Sequence, residues 1–176
     1  MPAYASPHIT LEQWQAGQST DIDVFEDQLR TWLFEQARTI SPNQHSGPAI
    51  LALVSPYFEA MACYRQGQSS RGSETTFLLS GLEAVFPAVD AAAREEYVKE
   101  VRHGFAHEAV FRKVLLHRST DGLPSFGLVN GLLVLDPWWV LDGAETHFNT
   151  YVGKLRNNEP QVIGGFNAFM SIRKAR

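Results

Sequence analysis

A single cysteine, Cys63, is all the thiol chemistry in this chain of 176 residues, which excludes a disulfide framework and the usual cysteine-built zinc sites. Its setting, the apolar stretch Phe58-Glu-Ala-Met-Ala-Cys-Tyr64, reads as that of a small buried hydrophobe. Metal ligands are equally scarce: His8, His45, His117 and His147 have no ligand spacing, so neither a metal nor a cofactor is expected. No glycine-rich phosphate loop opens a helix and no Gly-x-Ser-x-Gly occurs, which argues against a nucleotide hydrolase or a serine hydrolase of that type. Long hydrophobic runs are missing too. The longest, Ala49 to Val54, is far too short to cross a bilayer, and the first residues show no basic region followed by an apolar one, so the expectation is a cytoplasmic chain with no membrane partner.

Lysine is absent from residues 1–91, where four Arg stand against ten Asp and Glu, a balance of −6. Residues 92–176 carry eleven basic against nine acidic side chains, or +2, so the positive charge lies in the second half. An overall charge of −4 opposes indiscriminate binding to duplexes but permits a local basic groove. Lys154, Arg156, Arg173 and Lys174 are the candidate nucleic-acid-binding residues; a solvated helix face is the alternative.

With 44% hydrophobic residues, the chain can bury a core as one domain without staples. Residues 1–20 mix Pro, Ser, Gln and Gly with little periodicity and read as a loosely ordered arm. Residues 21–108 read as a helical core. Phe25, Leu29, Trp32, Leu33 and Phe34 mark a helix over Asp21–Ile40, and Pro48–Gln66 is apolar on most sides, a central helix bent or restarted near Pro56 with Ser55 as a cap. Phe77, Leu78, Leu82 and Phe86 mark a third helix over Thr75–Val89, and Asp90 caps a fourth that runs to about Gly104. Residues 109–176 read as short strands at Val110–Arg118, Ser125–Leu128 and Gly131–Leu135, with a hairpin turn at 119–124, followed by helices from Pro137 and over Val162–Ile172 packed on the same domain. The fold class is therefore mainly all-α, with a small β-hairpin appendage.

The stretch Val101-Arg-His-Gly-Phe-Ala-His107 is the densest in chemistry. On a wheel of about 100° per residue centred on Val98, Tyr97, Val101 and Phe105 form the apolar stripe, Arg102 lies about 40° from its centre, and Glu96, Lys99, Glu100 and His103 take the wet side. A guanidinium beside an apolar stripe needs partners or an interface. His107 would lie about 140° from Arg102 on a straight helix, so sharing one cleft requires a break near Gly104 or a two-fold dimer.

Arg102-His103 followed by His107, with Ser55-Pro-Tyr-Phe-Glu59 and Phe77-Leu-Leu-Ser-Gly-Leu82 on the preceding helices, resembles the HEPN superfamily, the higher eukaryotes and prokaryotes nucleotide-binding domains, in its uncharacterised bacterial branches. The resemblance covers about residues 21–108. It implies an antiparallel helical bundle that dimerises through the motif-bearing helices and, in active members, a metal-independent endoribonuclease of toxin or phage-defence type that leaves a 2′,3′-cyclic phosphate. By the resemblance Arg102 stabilises the phosphorane-like charge, His107 moves the proton and His103 orients one of them, with RNA as substrate and an antitoxin or other partner protein. Glu59 and Glu108 are supporting residues: Glu59 as the partner of Arg102, Glu108 as the neighbour of His107 at a helix end. A silent RNA- or protein-binding dimer, and a structural ion pair between Glu59 and Arg102, are the competing readings.

Overall fold

A central helix governs the packing. The computed structural model describes residues 2–105, 110–118 and 122–175, and in it the chain is mainly helical with two small sheets. Tyr4–Ser6 (β1) and Ile9–Thr10 (β2) pair antiparallel and lead into Leu11–Gln15 (α1). Asp21–Leu29 (α2) passes through a π-helical turn, Arg30–Phe34, into Glu35–Ile40 (α3). Gly47–Gln66 (α4) and Glu74–Val85 (α5) follow, then Ala91–Tyr97 (α6), which widens into a π-helical segment over Val98–Phe105. Val114–Leu116 (β3), Phe126–Val129 (β4) and Leu132–Leu135 (β5) precede Pro137–Arg156 (α7) and Pro160–Lys174 (α8).

The apolar character of α4 on most sides has its cause here, because α5, α7, α8 and the π segment all pack against it. Ile50, Leu51, Val54, Tyr57, Phe58 and Met61 are fully buried. The helix does not restart at Pro56. It continues unbroken, and the Ser55 hydroxyl, instead of capping a new turn, donates to the Leu51 carbonyl at 2.7 Å and accepts from the Tyr97 hydroxyl at 2.8 Å. Pro56 withdraws the amide that the Ala52 carbonyl would otherwise receive.

Residues 2–20 differ from the expected loose arm. Ser6 is fully buried and donates to Asp27 at 2.6 Å, and the Trp14 indole donates to Asp21 at 2.8 Å. Polar side chains on α2, which a sequence pattern counts only as a wet face, hold this segment down. Thr20 then caps α2 in a reciprocal capping box with Asp23.

The hairpin turn also moves. β4 and β5 join through Asn130-Gly131, both at positive φ, as a two-residue turn requires, whereas β3 runs parallel to β5 with Val114 opposite Leu133. β5 is the central strand of the three, which is why Leu133, Val134 and Leu135 are all buried. Asp136 caps α7 by accepting from the amides of Trp138 and Trp139, and Pro137 occupies the first turn.

Candidate anion-binding groove

Where α2, α4, α8 and the π segment meet, they leave a groove of about 590 Å³. Its floor is α4, from Ala52 and Pro56 through Glu59 to Tyr64. Arg102 and Arg173 enter it from different elements, the π segment and the last turns of α8, so residues 71 positions apart share one cleft.

The widened turn explains how Arg102 arrives there. A π-helical turn spreads more residues over each face, and Tyr97, Val98, Glu100 and Val101 are all buried along this stretch. Glu100, expected on the wet side, is 4% exposed and accepts from the backbone amides of Arg112 at 2.9 Å and Lys113 at 3.1 Å. Burial is the largest influence on its carboxyl and pushes the pKa up, but the two amides and the charges of Lys99 and Arg112 outweigh it and hold the group below its ordinary value. Arg102 is half-buried beside it.

Arg102 does not pair with Glu59. Among the described residues its guanidinium makes no ion pair within 4.0 Å, although its charge helps to lower the pKa of the exposed Glu74. Glu59 instead accepts from the Ser70 hydroxyl at 2.6 Å. The reason is geometric: the polar linker after α4 returns Ser70 to the groove before the guanidinium reaches the carboxylate, a closure that the sequence pattern does not reveal. Arg102, Glu59 and His103 nevertheless line one small recess beside the N-terminus of α5, where His103 is exposed. His107 and Glu108 lie outside the described residues, so the pairing of Arg102 with His107 has no geometry here.

Arg173 is held more firmly. It donates to the Tyr64 hydroxyl and, at 2.9 Å, to Gln28, whose amide nitrogen in turn donates to the Ala5 carbonyl at 2.6 Å. Burial pushes the Tyr64 phenol up and Arg173 pulls it back only in part, so the phenol keeps its proton. Gln28 is a positioning residue that sequence reasoning missed, since one glutamine on a helix carries no signal of its own.

The other candidate cations are not in the groove. Arg156 pairs with Glu26 at 2.6 Å and Asp23 at 3.0 Å, and Lys174 pairs with Asp21 at 2.6 Å while lying over Trp14. The acidic first half of the chain thus neutralises part of the basic second half. Lys154 is exposed on α7 and lines a separate recess.

Trp138 and Trp139 are occupied in packing: the indole of Trp138 donates to the Ser41 carbonyl at 2.8 Å, and Trp139 stacks on Phe86. Among the described residues no three His, Cys, Asp or Glu side chains cluster as a metal ion would need, and no helix is long and apolar enough to cross a membrane. Comparison of the chain with family models, curated proteins and solved structures finds no match.

Proposed function

We propose that the chain is a metal-independent endoribonuclease of HEPN type, in which the Arg102 groove receives the RNA backbone and His107 exchanges the proton. The observation that carries the reading is the guanidinium of Arg102, half-buried in a groove and without an ion-pair partner among the described residues. An arginine committed to structure would be expected in a pair, as Arg156 and Arg38 are. An arginine kept for a ligand leaves its donors open, and the planar fork suits a phosphate. Arg173 adds a second, fixed positive charge in the same groove.

In this reading a phosphodiester lies across the two guanidiniums. The imidazole of His107 takes the 2′-hydroxyl proton, or donates one to the departing 5′-oxygen, and Arg102 stabilises the charge that builds on phosphorus. General acid or base help supplies roughly 10²–10⁴-fold and one well-placed charge donor roughly 10²–10³-fold. Pairing of two chains through the motif helices, with a partner protein holding the nuclease in check, belongs to the same proposal.

The test is incubation of the full chain with structured RNAs in EDTA. Cleavage to 2′,3′-cyclic ends is expected, falling at least about 100-fold in Arg102→Ala and in His107→Ala. Because Arg102 makes no ion pair among the described residues, the unfolding free energy of Arg102→Ala should lie within about 0.5 kcal/mol of the parent. Equal cleavage by both variants would remove the assignment. A silent RNA- or protein-binding dimer is the second reading, favoured by the neutralisation of Arg156 and Lys174 on α2. It predicts RNA retention or a dimer without cleavage.

A further inference from the structure

On another side of α4, where α4, α5, α7 and α8 converge, lies a recess of about 260 Å³ that the groove reading does not use. His147, Tyr151 and Lys154 fall on one face of α7 at helical spacing, and Arg65, near the end of α4, closes the opposite side. No carboxylate lines it. Among the described residues neither Arg65 nor Lys154 makes an ion pair within 4.0 Å, so two cations face one cavity with no anion supplied by the fold.

The base of the recess strengthens the case. Tyr151 is 4% exposed and its hydroxyl, buried in the recess wall, has no hydrogen-bond partner among the described residues. A buried hydroxyl without a partner is costly, and a native fold retains one where something else completes it. Beside it, His147 Nδ1 lies 2.7 Å from the Tyr57 hydroxyl. Tyr57 is fully buried and burial holds its phenol in the protonated form; its hydroxyl has no other acceptor among the described residues, so donation to Nδ1, with the ring proton on Nε2, is the arrangement that satisfies both groups. Burial, reinforced by the charges of Arg65 and Lys154, lowers the His147 pKa to about 4 and keeps the ring neutral near pH 7. The set on offer is thus two cations, a phenol O–H and an imidazole N–H, with the Thr150 hydroxyl already donating to Thr146.

We infer that this recess binds the terminal phosphate of a small phosphomonoester, with Arg65 and Lys154 matching its two charges and Tyr151 and His147 donating to its oxygens. Two cations facing one cavity favour a dianion over a monoanion, and convergent donors select a tetrahedral oxyanion over chloride. The volume suits a phosphate with a small organic group attached rather than a long strand. The site is independent of the Arg102 groove, since the two share no lining residue.

The experiment is calorimetric titration of the full chain at constant ionic strength with inorganic phosphate, a ribonucleoside 5′-monophosphate, acetate, and an RNA oligonucleotide lacking a terminal phosphate as competitor. Phosphate and the monophosphate are expected to bind in competition with each other, and acetate and the oligonucleotide not to displace them. Arg65→Gln and Lys154→Gln, both at exposed positions, should each weaken binding about tenfold, and the nearly isosteric Tyr151→Phe about fivefold. Nitrogen NMR of the His147 ring should show a protonated Nε2 that shifts on titration with phosphate, in Lys154→Gln only at about tenfold higher concentration than in the parent. Absence of phosphate binding, equal affinity in the Arg65 and Lys154 variants, or displacement by the unphosphorylated oligonucleotide would overturn the assignment. Because the readout is binding at α7, loss of RNA cleavage in Arg102→Ala leaves this result untouched.

Discussion

At the scale of single residues, His147 shows how packing sets chemistry. Tyr57, Tyr151, Arg65 and Lys154 surround it, and its pKa falls from 6.5 to about 4 because burial, then two positive neighbours, oppose protonation. Between those two values the unfolded chain takes up a proton that the folded chain refuses, so stability is complete above pH 6.5 and falls as the pH drops toward 4. The loss is on the order of 3 kcal/mol over the window. Urea unfolding at a series of pH values from 7.5 to 4.5 should show it, and His147→Gln should flatten the curve. An unchanged pH profile in that variant would place the sensitivity elsewhere. The carboxylates held below their ordinary range, Asp23, Glu26, Asp27 and Glu100, act lower on the scale: their contribution is full above the ordinary carboxylate pKa and is lost as the pH falls from there through the lowered, folded value. Arg102 stands out in the sequence because it sits beside an apolar stripe, but that it pairs with no carboxylate among the described residues is a fact of three dimensions. Glu59, 43 positions before Arg102 in the chain yet lining the same groove, accepts from Ser70 instead.

Helices and strands are the scale at which the pattern was most readable and its failures most instructive. The α4 and α7 spans follow from apolar content, Pro near the start of each and the Asp136 cap, all local signals. The π-helical segment over Val98–Phe105 left no such mark, since it is a response of the backbone to what it packs against. Gly81 belongs to the same class. Inside α5 it looks like a weak helix residue, yet a Cβ there would lie 1.8 Å from the Phe58 carbonyl oxygen of α4. Gly81→Ala must push the two helices apart, and thermal unfolding should register a loss of about 3 kcal/mol or more. A variant as stable as the parent would mean that α4 and α5 do not cross so closely. Asn130-Gly131, a strong signal for a two-residue hairpin, sits where the turn is found, whereas residues 119–124, equally rich in loop formers, separate β3 from β4, which do not pair, and 119–121 lie outside the described residues.

For the whole molecule, the two ends of the chain converge on α2. Ser6, His8 and Trp14 bond to Asp27 and Asp21 from one side, while Arg156, Arg173 and Lys174 reach Asp23, Glu26, Gln28 and Asp21 from the other. Most of these exposed pairs contribute little individually, about 0–1 kcal/mol. The fully buried Ser6 and the Trp14 ring packed at the core edge contribute more. Removal of residues 1–16 should therefore leave α2 to α8 folded, with circular dichroism losing no more than the short α1, but lower stability by about 2–4 kcal/mol, measured as a fall in the urea midpoint. An unaltered midpoint would return the segment to the status of a loose arm. The same deletion takes away the Ala5 carbonyl that orients Gln28, so Arg173 should lose its fixed place in the groove.

What the sequence by itself determined was the class and order of the elements, because helical spacing, caps and the first-turn prolines act within a few residues of one another. It also singled out Arg102 and the charge difference between the halves. Only the tertiary structure decided which charges cancel, that Arg173 joins Arg102 while Arg156 and Lys174 do not, and that Arg65, Lys154 and Tyr151 line one recess. Those outcomes rest on segments 71 (Arg102 and Arg173) to 153 (Asp21 and Lys174) residues apart, and the free energy of such contacts depends on geometry that no local pattern encodes.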